Sequence, residues 1–112
     1  MGRNARVRNK SVVVVTTTVS GSKEAKRMAA RIVESRLGAC VQAMPIRSVY
    51  RWKGRVESAG EVLLAIKTRS GLARRLTAFI RALHSYEVPE ILVMPVKGGL
   101  PEYLEWIYGE TD

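Results

Sequence analysis

Ile46-Arg47-Ser48-Val49-Tyr50-Arg51-Trp52-Lys53-Gly54 is the stretch that decides the fold. Its side chains alternate: Ile46, Ser48, Tyr50 and Trp52 share one face of an extended strand, and Arg47, Val49, Arg51 and Lys53 share the other. Lys53-Gly54 then reads as a tight hairpin turn, because glycine tolerates the left-handed backbone that such turns require. The return strand is expected from Arg55 through Thr68, loosened around Ser58-Ala59-Gly60 and apolar from Val62 to Ile66. On the incoming side Pro45, which cannot donate to a ladder, predicts a bend, a bulge or an edge position. So long a hairpin overreaches the helices one small domain can supply. With Tyr50 and Trp52 on one face and cations on the other, it predicts oligomerisation rather than a bare edge.

Outward from the hairpin, each segment has a clear period. Ser11 to Val19, with four valines followed by three threonines, reads as a central strand ended by Ser20-Gly21-Ser22. Ser22 is the expected N-cap of a helix whose apolar stripe is Ala25, Met28, Ala29, Ile32, Val33 and Leu37, with Gly38 as its left-handed stop. Ser70 is the expected cap of a second helix with the stripe Leu72, Leu76, Phe79, Ile80 and Leu83, ending at His84. Ile91 to Met94 reads as a buried strand closed by Pro95, and Pro101 opens a short final helix. The order strand, helix, strand, strand, helix, strand, helix predicts an α+β chain. It is the ferredoxin-like split βαβ sandwich, a superfold that by itself assigns no activity. Residues 11–112 are expected to form one domain and residues 1–10 a basic, disordered arm.

The 112 residues are 46% hydrophobic and 26% charged, enough to fill one core and too apolar for disorder. No run approaches the ~18 apolar residues that span a bilayer, and no secretory signal opens the chain, so a soluble, unprocessed protein without a membrane partner is expected. Cys40 is the lone cysteine, which excludes an intrachain disulfide and suits the cytoplasm. Nineteen Lys and Arg against ten Asp and Glu give a net charge of +9, with Arg3, Arg6, Arg8 and Lys10 in the arm. The arm is either a solvated tail or a weak contact for nucleic acid. A sheet that bound RNA bases would expose aromatics on its central strands, and these strands carry Val, Leu and Ile instead.

Motifs for phosphate loops, dinucleotides, zinc hydrolases and paired-cysteine redox sites are absent from the sequence, and no enzymatic activity is expected. His84-Ser85-Tyr86-Glu87-Val88-Pro89-Glu90-Ile91 concentrates the polar chemistry around the single histidine. Its imidazole reads either as a hydrogen-bonded structural group or, with Cys40, as a soft or borderline donor for Cu(II) or Zn(II). Cys40 reads equally as a small buried hydrophobe. One chain cannot close a metal site with two such ligands, whereas an oligomer multiplies them. No organic cofactor is implied.

Four segments carry a resemblance. Gly38-Ala39-Cys40-Val41, Ser48 to Gly54, Glu61-Val62-Leu63-Leu64-Ala65-Ile66-Lys67-Thr68 and His84 to Ile91 resemble, in order and spacing, the CutA divalent-cation-tolerance proteins. The resemblance implies a stable homotrimer of ferredoxin-like subunits joined through the long strands, and a link to metal tolerance, especially copper. It also implies an intersubunit cleft edged by Tyr50, Trp52, Glu61, Lys67, Tyr86 and Glu90, with His84 and Cys40 as metal-ligand candidates. The family trimer is similar to that of PII signalling proteins. The alternative is therefore an interaction scaffold whose cleft takes an anionic small molecule or a partner segment on Lys67, between Tyr50 and Trp52. Two departures matter. Ser85 stands where the family commonly has proline, predicting a looser loop, and the acidic residues after the hairpin turn are thinned to Glu57 and Glu61.

Overall fold

A computed structural model describes residues 10–112, so nine of the ten residues assigned to the basic arm lie outside the described residues. The elements are β1 (Val12–Val19), α1 (Ser22–Glu34), β2 (Cys40–Trp52), β3 (Arg55–Arg69), a 3-10 turn (Ser70–Leu72), α2 (Ala73–Leu83), β4 (Ile91–Val96) and α3 (Pro101–Gly109). The strands form one antiparallel sheet in the order β2-β3-β1-β4. This is the ferredoxin-like α+β architecture that the order of elements predicts.

Alternation sorts the sheet into two faces. Val13, Val15 and Val19 of β1 and Leu64 and Ile66 of β3 meet Met28 and Ile32 of α1 and Leu76 and Ile80 of α2 in one core. The register places Val14, Thr16 and Thr18 on the other face. Leu63, Ala65 and Lys67 of β3, Cys40, Gln42 and Met44 of β2, and Leu92 and Met94 of β4 lie beside them there. α3 covers one end of this second face. Its Ile107 is buried, the Arg69 guanidinium donates to the carbonyls of Tyr108 and Thr111, and the Tyr108 hydroxyl donates to the Ser11 carbonyl at 2.7 Å.

The hairpin has the expected length and is more regular than its composition suggests. β1 pairs with β3 from Val62 to Arg69, so Arg55 to Glu61 pair with β2 alone and project about 23 Å beyond the shared sheet at ~3.3 Å per residue. The described chain accordingly measures 56 × 25 × 21 Å. Ser58-Ala59-Gly60 does not loosen β3, whose pairing runs unbroken from Arg55 to Arg69. Pro45 sits without a bulge opposite Val62, because β2 is an edge strand and the missing N–H faces no partner. At the tip, Lys53 and Gly54 both have positive φ, 50° and 81°, the mirror-image turn that matches the strand twist.

Several expected boundaries are corrected. Ser22 is the first helical residue, with Gly21 at the cap. The hydroxyl that serves this end belongs to Ser20, which donates to Glu24 at 2.9 Å. The left-handed residue after α1 is Arg36, at φ 61°, and not Gly38. Ser70 opens a 3-10 turn instead of capping α2, and its hydroxyl pairs with that of Ser11 at 2.6 Å. β4 runs through Pro95 to Val96, since the proline lies on an outer strand, and the strand is not buried: Leu92 is 54% exposed. Val33 of the expected α1 stripe is also exposed, because it lies one residue, about 100°, round the helix from the buried Ile32, at the flank of the stripe.

Candidate functional site

The loop between α2 and β4 is held by three separate anchors. α2 ends at Leu83, and His84 leaves in an extended conformation. The Tyr86 N–H points at His84 Nδ1 (3.1 Å), so Nδ1 must accept; the neutral ring then carries its proton on Nε2, which donates to the Thr18 carbonyl at 2.8 Å. Both ring nitrogens are thus occupied. Ser85 donates its hydroxyl (3.0 Å) and its N–H (3.3 Å) to Glu24. The serine that predicted a looser loop therefore ties it to α1, through an N–H that proline lacks. Burial alone would raise the Glu24 carboxyl, but the hydrogen bonds from Ser20 and Ser85 outweigh it and hold the group below its ordinary value. Finally the Tyr86 hydroxyl donates to Glu61 on β3 at 2.7 Å. Burial first, and then this bond and the Glu61 charge, raise the phenol well above its ordinary value, so it stays a donor.

These anchors lay residues 86–90 against the root of the hairpin and enclose a cleft of about 690 Å³. Its walls include Tyr50, Trp52, Glu61, Tyr86, Glu87 and Glu90, with Thr18 at its floor. Five of the predicted residues, Tyr50, Trp52, Glu61, Tyr86 and Glu90, are therefore brought together. Glu87 joins them; the sequence noted it as a carboxylate in the loop but gave no sign that it faced the hairpin.

The other three are elsewhere. His84 stands behind the cleft as a bracket between β1 and the loop. Lys67 is not among the lining residues, and its ammonium bonds the Gln42 side chain across β2 and β3. The anionic-ligand reading thus loses its charge. Cys40 pairs with Lys67, four residues along β3 from Leu63, the partner of Thr18. That places Cys40 about 13 Å along the strands from the carbonyl that holds His84, at ~3.3 Å per residue. Cys40 lies instead beside Tyr103 of α3, whose phenol is raised by burial and by the neighbouring thiol. Among the described residues no three His, Cys, Asp or Glu side chains are grouped to hold a metal ion. The donors of a single chain do not fit a resident metal site.

The matching family model, described as CutA1 divalent ion tolerance protein, covers residues 13–110. The chain belongs to the CutA1 divalent ion tolerance family. Protein CutA of Mus musculus is 46% identical over 103 residues, which are 91% of this chain and 58% of the mouse protein. Protein CutA 1, chloroplastic, of Oryza sativa is 45% identical over 100 residues, 88% of this chain and 56% of the rice protein. The chain thus spans little more than half the length of these two curated relatives. The structure of the periplasmic divalent cation tolerance protein CutA from Archaeoglobus fulgidus superposes with a TM-score of 0.88 at 36% identity, covering 90% of this chain and 99% of that one. Compartment differs among these family members, so the cytoplasmic expectation rests on the lone cysteine. No helix among the described residues is long and apolar enough to cross a membrane.

Proposed function

We propose that this CutA family member is a non-enzymatic homotrimer that serves divalent-cation tolerance by binding rather than by catalysis. The observation that carries the assembly is the second sheet face. Met44 (56% exposed), Leu92 and Met94 leave apolar side chains uncovered on that face at its two edge strands, β2 and β4, the kind of exposure that marks an interaction surface. Association of three copies buries that face and gives the overhanging hairpin a neighbour. Light scattering coupled to gel filtration should return three times the chain mass. Met44→Glu combined with Leu92→Glu should shift it to the monomer, and a monomeric parent protein would refute the assembly.

In this reading Cu(II) or Zn(II) is cargo and not a resident cofactor. His84 can take an ion only by giving up the Tyr86 N–H or the Thr18 carbonyl, so affinity through it is expected to be weak. Cys40 offers the soft donor. Titration with Cu(II) of the parent, His84→Ala and Cys40→Ala proteins tests the assignment: loss of binding in either variant supports it, and unchanged binding in both removes these residues from the site.

A further inference from the structure

Several cations of the described chain serve the fold: Arg36, Arg47, Lys67 and Arg69 spend their side chains on bonds within it. The helical layer does the opposite. α2 exposes nothing but Arg74, Arg75, Arg81 and two alanines, Ala78 and Ala82. α1 adds exposed Lys23, Lys26, Arg27 and Arg31, against one exposed acid, Glu34. The single ion pair among the described residues is Arg36–Asp112, so none of these helical cations is neutralised by a neighbour. With Leu76 and Ile80 in the core, Arg74, Ala78 and Arg81 project from the opposite side of α2, and Lys23 and Arg27 stand likewise opposite Met28 and Ile32 on α1. Lys23, Arg27 and Arg31 recur every four residues, about 6 Å apart along the axis. Helix stability does not account for the charge. Arg74 and Arg75 stand in the first turn of α2, which holds no acid, although the positive end of the helix dipole disfavours cations there.

We propose that the outward face of α1 and α2 binds the phosphate backbone of a nucleic-acid duplex without reading its sequence. The trimer proposed above buries the opposite side of the sheet, so this face is open in the single chain and in the assembly alike. No ring is available on which an unpaired base could stack, because Phe79, the one aromatic of these two helices, packs against the core. A bilayer surface needs large apolar or aromatic side chains to insert, and Val33 is the only such residue exposed on either helix. A folded protein partner needs an apolar anchor among the charges, and Ala78 and Ala82 supply none. Charge in even rows, with small side chains between, suits a uniform run of phosphates, whose oxygens a guanidinium grips in pairs. The binding is independent of metal.

Fluorescence anisotropy of a short labelled DNA duplex of mixed sequence, titrated with the purified full chain at several salt concentrations, tests it. The expected result is saturable binding whose log affinity falls linearly with log salt and is the same for an unrelated sequence. Arg27→Gln combined with Arg74→Gln and Arg81→Gln should weaken binding roughly tenfold and flatten the salt slope by about one per cation removed. All three residues are exposed, so the folding of this variant is not at issue. Arg51→Gln combined with Arg55→Gln and Lys97→Gln removes the same charge from exposed positions outside the helices and should leave affinity and slope nearly unchanged. Variants are compared after gel filtration shows the parent's mass. Absence of saturable binding, an equal loss in the two variants, tighter binding of the single strand, or binding to phosphatidylserine vesicles in preference to the duplex would each overturn the proposal. So would a loss on Arg3→Gln with Arg6→Gln and Arg8→Gln that the helical variant does not share.

Discussion

Gly38 leaves no room for a side chain: a Cβ there would come within 2.6 Å of Ile66 Cγ2 and 2.8 Å of Ile32 Cγ2. The glycine lets the chain leaving α1 press against β3, while Arg36 supplies the left-handed turn and is held by Asp112 (2.6 Å) and the Gly109 carbonyl (2.9 Å). Gly38→Ala should cost about 1–3 kcal/mol, read as a lower denaturant midpoint, because both isoleucines are fully buried and cannot move aside. Glu24 carries a pH signature. Its carboxyl is depressed below 4.5 in the folded state, so its contribution is present above that value and lost as pH falls through the folded one. The stability gap between the parent and Glu24→Gln should therefore be full at neutral pH and close progressively below pH 4.5. Neither role is visible in one dimension. A glycine after a helix reads as a stop, and only the methyls from two other elements show that it is a contact.

At the scale of elements, the hairpin was legible because alternation and turn chemistry are local. Trp52 pairs with Arg55 across the Lys53-Gly54 turn, as the spacing predicts. Gly54→Val should destabilise by about 1–2 kcal/mol, seen in thermal melts, since a β-branched residue pays a steric penalty at φ 81°. The core face of β1 and β3 contains the opposite case. Thr17 and Thr68 are fully buried, and their hydroxyls find no hydrogen-bond partner among the described residues. Thr17→Val keeps the shape and removes the orphaned donor, and should raise stability by roughly 1 kcal/mol in denaturant titration. In sequence β4 reads as buried because Ile91-Leu92-Val93-Met94 is apolar throughout. Composition cannot tell a central strand from an outer one whose apolar face awaits another surface.

For the whole molecule, the sequence by itself determined the order of strands and helices, the core stripes, the hairpin turn and the gathering of polar groups in the loop after α2. Each depends on periods of two or about 3.6 residues and on the conformational limits of glycine and proline, which are properties of short segments. The tertiary structure alone decided which candidates share a site. Tyr86 and Glu61 are brought into hydrogen-bonding contact, while Lys67, six residues from Glu61, is turned along the sheet to Gln42. The same packing spent both nitrogens of His84 on the backbone and set Cys40 under α3, so the two soft donors are apart within one chain. Contacts between segments dozens of residues apart depend on register, twist and the path of the connecting loop, and no local period encodes these.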